Sequence, residues 1–440
     1  MKLTEESNVA LCARRARKVV RRLGALSDSC RRQALLVAAD ALFQQRAMIL
    51  AANEQDCQEA LSAVENGSMT RAMLARLQTS ERGVEEMAAR MREVSGLPNV
   101  VGRILSVTEL DQGLMLHKVS CPLGVIGIVF ESRPDVVPQV TALALKSGNA
   151  LLLKGGSEAA QTNQALVSIL RTSFRSFSEI PEDAISLLHT REDVLELLAL
   201  EDEIDLIIPR GSKQFVRYVA SHSRIPVLGH GEGLCHVYID VSADLEKGYD
   251  IAFDSKVQYP AACNAAETLL VHKAVAARFL PEMIDRFTSA GVEVRGCPST
   301  LLLLNGRKVN AAFRDDWSTE YSDLKISIKI VGSIDEAITH IERYGSKHTE
   351  VIVTEDEQAA SRFMEEVDVA SVFHNASTRF ADGFRYGLGA ELGISTSKLH
   401  ARGPVGLEAL VTYKYKLYGE GHTVKPYAEG ERRFKHRAIE

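Results

Sequence analysis

Gly124-Val-Ile-Gly-Ile-Val-Phe130 and Asn149-Ala-Leu-Leu-Leu-Lys-Gly-Gly156 decide the fold of this chain. Val125 to Phe130 and Ala150 to Leu153 are continuous apolar runs of strand length, and Val136 to Ser147 between them reads as a helix. A helix from Ser157 to about Ser173 follows. Strands are then expected at Leu187–His189, Ile204–Ile208, Ile225–Leu228 and His236–Asp240, with helices at Glu192–Leu198 and Lys213–Ala220. Strands alternating with helices make βαβ units and a parallel sheet, so the fold class is α/β. A second α/β stretch begins near Asp244. It holds a helix before Cys263, a strand at Glu267–Val271, a helix at Lys273–Ser289, and strands at Ile326–Val331, Val351–Val353 and Ser371–His374.

The first hundred residues read as helices. Asp28 is placed to cap a helix from Arg31 into Ala52, with Ala34, Leu35, Ala38, Ala39, Leu42 and Leu50 at helical period. Helices from Ser68 to about Leu77 and from Arg82 to Val94 follow. Leu105 to Val119 alternates about Gly113 and predicts a hairpin, and Ala409 to Tyr418 alternates again with Val411, Tyr413, Tyr415 and Leu417 on one face. From Gly419 onward the chain is polar and charged, and it is expected to be loosely ordered. The cluster Arg14, Arg15, Arg17, Lys18, Arg21 and Arg22 shares a stretch with Val9, Ala10, Ala13, Ala16, Val19 and Val20 at helical spacing, which favours a solvated basic helix face over a transit peptide.

A length of 440 residues suits two or three domains. The net charge of −6 argues against a nucleic-acid partner and supplies no general lure for an anionic substrate. Anion binding must come from local arginines and backbone N–H groups. No apolar run approaches bilayer length, so no membrane partner is expected. Seven cysteines, an odd number with no CxxC pair, suit reduced thiols in the cytoplasm rather than a disulfide framework or a zinc site, and no metal is expected.

Lys256-Val-Gln-Tyr-Pro-Ala-Ala-Cys263-Asn264-Ala-Ala-Glu-Thr-Leu-Leu-Val271 carries the candidate nucleophile. Ala261, Ala262 and Ala265 leave room for a carbonyl to approach the Cys263 thiol, which can form a thioester and pass on the acyl group. A free cysteine is otherwise most often an inert, buried small hydrophobe, and this segment alone balances the two.

Two α/β units with a loop thiol in the second resemble the aldehyde dehydrogenase superfamily. Phe130-Glu-Ser-Arg-Pro-Asp135, Leu152-Leu-Lys-Gly-Gly156, Ile208-Pro-Arg-Gly-Ser212, Gln258-Tyr-Pro-Ala-Ala-Cys-Asn264, the block from Ala337 to Ile352, Asn375-Ala-Ser-Thr-Arg-Phe-Ala-Asp-Gly383 and His400-Ala-Arg-Gly-Pro-Val-Gly-Leu-Glu408 together resemble its γ-glutamyl phosphate reductase branch over nearly the whole chain. That resemblance implies an aldehyde-dehydrogenase-like architecture. An NADPH-binding, Rossmann-type domain would take residues 1–107 and 123–235, and a catalytic domain 236–380. Residues 108–122 and 405–424 would form a β oligomerisation flap, with a polar tail at 425–440. Unpaired flap strands predict at least a dimer. The family also occurs fused behind a glutamate kinase, which makes a kinase a candidate partner; this sequence opens directly on the helical segment.

The implied reaction is NADPH-dependent reduction of L-glutamyl 5-phosphate to L-glutamate 5-semialdehyde and phosphate, in proline biosynthesis, through a Cys263 thioester. The backbone N–H of Cys263 or Asn264 would donate to the oxyanion. For the cofactor, the resemblance assigns Lys154 to the adenosine ribose, the helix-opening Gly211 and Ser212 to the pyrophosphate, and Glu320 to the nicotinamide ribose. Ser157 stands where NAD-preferring relatives carry a carboxylate, so nothing anionic is expected to oppose a 2′-phosphate, and NADP follows. Arg133 and Arg379 suit the substrate's anions, with Asn375, Ser377 and Thr378 as neutral donors; structural ion pairs are the other reading of each arginine. Ser132 replaces the superfamily's oxyanion asparagine. Gly229 replaces its water-activating glutamate, with Glu232 close enough to refill that role. His340, His348 and His400 invite a general-acid reading, although the last two suit structural hydrogen bonds. An oxidising semialdehyde dehydrogenase and a non-catalytic partner of a glutamate kinase are the rival readings.

Overall fold

The computed structural model describes residues 7–67, 69, 71–189, 192–229 and 231–439. Two compact units divide the chain: Met1–Leu228, Leu388–Leu392 and Val405–Glu440 form the first, and Gly229–Gly387 with Gly393–Pro404 the second. The first unit ends at Leu228, short of the expected 235, and later chain returns to it twice.

Helices at Asn8–Ala25, Asp28–Gln44, Arg46–Glu65, Arg71–Leu77 and Glu81–Gly96 open the first unit. The single helix expected over 31–52 is two helices, bent by 65° at Gln45. The break slips the helical phase, so Ile49 rather than Leu50 enters the core with Ala34, Leu35, Ala38, Ala39 and Leu42. Its cap is Ser27, whose Oγ accepts the Cys30 N–H at 3.1 Å; Asp28 already lies inside the helix. The next helix is described from Arg71, and its expected start at Ser68 lies outside the described residues.

Strands β1 (Ile104–Asp111) and β2 (Leu114–Pro122) form the expected antiparallel hairpin, with Gly113 at φ 72° in the turn. β3 (Val125–Phe130), β4 (Ala150–Gly155), β5 (Ile185–Leu188) and β6 (Leu206–Arg210) make a parallel sheet ordered β5-β4-β3-β6. β3 and β4 are buried along their whole length, as unbroken apolar runs require. The strand expected at Ile225–Leu228 shrinks to one bridge between Ile207 and Val227, because Pro226 has no N–H to continue the ladder. The connections reverse at β3, leaving β6 on one side and β4 and β5 on the other. Ligands of open α/β sheets bind at the carboxyl ends of strands at such a point.

The second unit is built on β7 (Cys235–Ile239), β8 (Ala266–His272), β9 (Glu293–Gly296), β10 (Asn310–Ala311), β11 (Lys325–Val331), β12 (Thr349–Val353) and β13 (Ser371–His374). They form a parallel sheet ordered β10-β9-β11-β8-β7-β12-β13. The helix Lys273–Ser289 packs Phe279, Leu280, Met283 and Phe287 into a core with Leu269, Val271 and Val351. β14 (Ile394–Ser395) and β15 (Gly403–Pro404) add a small antiparallel pair.

β16 (Val411–Tyr418) pairs antiparallel with β2, from Val411 opposite Pro122 to Tyr418 opposite Met115. The tail expected to be loose instead forms a helix at Lys425–Ala428 and a strand, β17 (Arg437–Ile439), on the far edge of β1. Charge holds it there. Glu109 and Asp111 are buried acids of β1; Arg437 pairs with Glu109 at 2.6 Å, Arg432 with Asp111 at 2.7 Å, and the Tyr427 hydroxyl donates to Asp111 at 2.8 Å. Among the described residues no single helix is long and apolar enough to cross a membrane.

Candidate active site

Cys263 lies half-buried between the helix Leu245–Val257 and β8. The loop turns through N–H bonds from Ala262 to the Tyr259 carbonyl (3.2 Å) and from Ala265 to the Ala262 carbonyl (2.9 Å). Gly233 sets its position. A Cβ added there would stand 2.0 Å from the Cys263 carbonyl oxygen and 2.5 Å from its Cα, so only glycine allows the two backbones to touch. This contact brings the Glu232 segment against the thiol loop. The Cys235 Sγ lies 3.4 Å from the Cys263 carbonyl oxygen. Full burial pushes the Cys235 thiol well above its ordinary range, which leaves it inert beside the half-buried candidate.

Asn264 is buried, and its side chain ties the loop to the segment after β13: Nδ2 donates to the Ala381 carbonyl at 2.8 Å. Arg379 lies on that segment, 7% exposed. Its Nε donates to Gln258 Oε1 at 2.8 Å, and its guanidinium lies 5.8 Å from the Tyr259 ring centroid. Burial first, and the neighbouring Arg385 second, hold the Arg379 guanidinium below its ordinary value, while Cys263 opposes them. The Arg379 charge is thus within electrostatic reach of the thiol, and a second arginine stands close behind it, with Arg385 Nη1 on the Arg379 carbonyl at 2.7 Å.

Two expected substrate contacts, Asn375 and Ser377, have their side chains hydrogen-bonded within the protein. Asn375, at φ 52°, exchanges hydrogen bonds with the end of β12: its Nδ2 donates to the Thr354 carbonyl at 2.9 Å and its Oδ1 accepts the Thr354 N–H at 3.0 Å. Ser377 is buried; its Oγ accepts from the Ser255 hydroxyl and from the Arg379 N–H, both at 3.2 Å. Both side chains are engaged in holding the Arg379 turn. Thr378 is fully buried.

A buried ion pair underlies the loop. Lys256, 0% exposed, donates to Glu267 Oε2 at 2.7 Å. Burial pushes the Glu267 carboxyl up to about 7 and the Lys256 ammonium down. Glu267 Oε1 accepts the Ser322 N–H at 3.1 Å, and the charge of Glu320 adds to the upward push on Glu267. The charge of Glu320 thus reaches the buried pair beneath the thiol loop.

In the first unit, Lys154 is buried at the end of β4, with its Nζ on the Gly155 carbonyl at 2.5 Å. Ser157 opens the short 3-10 turn Ser157–Ala159. Beside Ser157, the Glu158 carboxylate folds back and accepts both the Ser132 N–H and the Ser132 hydroxyl at 2.7 Å. Ser132 is buried at φ 40°. Gly211 and Ser212 follow β6, beside the end of β3. The Ser212 N–H donates to Glu131 Oε2 at 2.8 Å, and a Cβ on Gly211 would stand 2.4 Å from that oxygen. An anionic oxygen thus already sits on the helix N-terminus at the strand-order reversal, which is the chemistry a phosphate needs. The cradle fits a dinucleotide pyrophosphate, with Glu131 standing in for it. Arg133 is a half-buried residue of this unit, whereas Arg379 belongs to the other.

The aldehyde dehydrogenase family model matches residues 1–299. A γ-glutamyl phosphate reductase of Synechococcus sp. strain JA-3-3Ab is 52% identical over 423 residues, covering 96% of this chain and 92% of the relative. The crystal structure of γ-glutamyl phosphate reductase from Thermotoga maritima superposes with a TM-score of 0.91 at 40% identity, over 95% of this chain and all of that one. The chain belongs to the γ-glutamyl phosphate reductases of the aldehyde dehydrogenase family. An engineered glycolyl-CoA reductase with bound NADP+ shares the fold at 16% identity, with a TM-score of 0.64 over 93% of this chain and 96% of that one.

Of the motif histidines, His340 and His348 are buried and His400 is exposed. His340 is buried, and burial together with His236 holds it neutral, at about 2. His348 is buried too, with Nδ1 at 2.8 Å from the Thr349 hydroxyl. Sequence reasoning missed Gly233, Arg385, the Lys256–Glu267 pair, Glu131 and Glu158. The pair had a signal, since Glu267 is a lone charge in the apolar strand Ala266–His272. Gly233, Glu131 and Glu158 had none, because their partners lie far along the chain.

Proposed function

We propose that this chain reduces L-glutamyl 5-phosphate to L-glutamate 5-semialdehyde and phosphate with NADPH, through a thioester on Cys263, as a cytoplasmic enzyme of proline biosynthesis. The observation that carries the reading is the placement of Cys263 beside the buried Arg379, in a chain half identical to γ-glutamyl phosphate reductases. The arginine charge favours the thiolate, which attacks the acyl carbon; a C–S bond forms and phosphate leaves with the electrons of the broken C–O bond. The Arg379 fork also suits a substrate anion, as does Arg133. The N–H of Cys263 or Asn264 is the donor proposed for the oxyanion.

When bound, the dinucleotide supplies the hydride that releases the aldehyde. Lys154 and Ser157 would hold its adenosine ribose, the N–H groups at Gly211 and Ser212 its pyrophosphate in place of the Glu131 carboxylate, and Glu320 its nicotinamide ribose. Preference for the 2′-phosphate is supported by Glu158 being turned onto Ser132, where two donors balance its charge. Gly229 at the position of the superfamily base leaves no side chain there to activate water, which protects the thioester from hydrolysis. A glutamate kinase, as the source of a short-lived acyl phosphate, is the partner this reading expects. β16 leaves Tyr413, Tyr415, Leu417 and Tyr418 exposed at a sheet edge, which supports assembly with a second copy.

The test is phosphate-dependent NADP reduction with glutamate 5-semialdehyde. Wild type should turn over only with phosphate, and Cys263→Ser should be inactive. Turnover without phosphate would replace the reading with an oxidising dehydrogenase, and an active serine variant would remove the thioester. Light scattering should give a dimer or larger; a stable monomer would refute the flap.

A further inference from the structure

Cys263 and Glu320 sit on two loops that enter neighbouring strands of the second unit's sheet. Cys263 lies just before β8 and Glu320 just before β11. The two strands pair in parallel, with Ser327 opposite Thr268, so both loops reach the same end of the sheet. Glu267, buried at the start of β8, joins them. One carboxylate oxygen accepts from Lys256 Nζ at 2.7 Å, in the last turn of the helix that leads into the thiol loop, so the pair closes that loop across its two ends. The other oxygen accepts the Ser322 N–H at 3.1 Å. Ser322 holds φ at 51°, which a residue with a side chain seldom takes without support. Tyr321 fixes the same segment, with its hydroxyl on Asp316 Oδ1 at 2.8 Å. The charge of Glu320 reaches Glu267 and that of Asp323 reaches Lys256, so this segment lies close to the pair.

Neither member of the pair is open to a ligand: the Lys256 side chain is 0% exposed and that of Glu267 2%. Stability does not account for the pair either, because apolar side chains of similar volume often replace a buried ion pair without loss. What an apolar pair lacks is an acceptor for Ser322. We propose that Glu267, held in place by Lys256, is a positioning residue that sets the Glu320 carboxylate against the thiol loop, and so the nicotinamide ribose against the acyl sulfur. The inference rests on the assignment of Glu320 to that ribose under the proposed function. Such placement matters because reacting groups displaced by on the order of 1 Å lose ~10²-fold in rate.

The test compares NADPH binding by calorimetry on the full chain with its urea unfolding midpoint and its rate of Cys263 alkylation. Lys256→Met with Glu267→Leu should unfold near the parent midpoint and keep the parent alkylation rate, yet bind NADPH about three- to tenfold more weakly. Lys256→Met with Glu267→Gln keeps an acceptor for Ser322 without the charges, and should restore most of that loss. Glu320→Ala should weaken NADPH about tenfold. In its background the first double variant should add less than about twofold, because both changes act through one contact. An additive loss, parental NADPH binding in the first double variant, a loss matched by slower Cys263 alkylation, or a second double variant no better than the first would overturn the inference while leaving Glu320 in its role. Unchanged binding in Glu320→Ala would instead remove the ribose assignment, and the inference with it. Hydrogen exchange on the parent needs no variant: the Ser322 amide should be protected, and exchange at the unfolded-chain rate would refute its bond to Glu267.

Discussion

Gly233→Ala adds one methyl group between two backbones that already touch. Its φ lies outside the left-handed region, so alanine meets no conformational penalty there and the whole effect is steric. The new Cβ would begin 2.0 Å from the Cys263 carbonyl oxygen, and ordinary contact begins at 3.4 Å, so the two segments must part by about 1.4 Å. Overpacking of this kind costs about 1–3 kcal/mol of stability, which a domain of this size tolerates. The larger effect falls on catalysis. A nucleophile displaced by on the order of 1 Å loses ~10²-fold in rate, equivalent to about 2.7 kcal/mol of barrier. The assay is kcat for phosphate-dependent NADP reduction, with thermal unfolding on the same sample and mass-spectrometric alkylation of the Cys263 peptide. A folded Gly233→Ala enzyme with kcat within about twofold of the parent would show that the contact does not set the thiol's position.

Lys256→Met strands a buried Glu267 and should cost about 3–5 kcal/mol in urea unfolding, while Lys256→Met with Glu267→Leu should recover most of it; equal losses in both would deny that the charge is the cause. Glu131→Gln removes the anion from the Ser212 N–H and should tighten NADPH binding about 2–5-fold by calorimetry; weaker binding would mean Glu131 holds the cofactor rather than its place. Arg379→Ala should raise KM for the semialdehyde and slow Cys263 alkylation at neutral pH, and unchanged values for both would dismiss it as a ligand. His340 titrates at about 2 folded, below its ordinary 6.5, so the unfolded chain takes up the extra proton between those values. Its contribution is therefore complete above pH 6.5 and lost as pH falls, by up to about 1.4 kcal/mol per pH unit; His340→Phe should flatten the stability slope between about pH 5 and 6.5.

Elements with strong periodicity were legible in the sequence almost to the residue. The helix Lys273–Ser289 and the strand Ser371–His374 have the expected bounds, because one apolar face or one apolar run defines each and both ends carry clear breaks. The bend at Gln45 was not legible, since a one-residue phase slip leaves an apolar pattern that still looks helical. The ordered tail was missed because its partners, Glu109 and Asp111, lie more than three hundred residues earlier. At the site, the thiol loop and its arginine follow from motif residues. What Asn375 and Ser377 do does not: a short polar side chain beside a functional turn serves a ligand or the turn itself, and only the hydrogen-bond partners separate the two. Carboxylates that fold onto glycine turns, as Glu131 and Glu158 do, are equally invisible until the strands are laid side by side.

A four-stranded sheet has two rims, and in the β16-β2-β1-β17 sheet they are unequal. One rim is the long, aromatic Val411–Tyr418; the other is three residues, Arg437–Ile439, pinned by ion pairs to the acids beneath it. Strand addition is thus open on one side and blunted on the other. Two copies meeting through their long rims use up each other's only sticky side, so growth ends in a closed pair instead of an endless ribbon. Clipping the chain after residue 424 would bare the second rim, and the loss of that stop should show as concentration-dependent polymerisation of an otherwise folded protein.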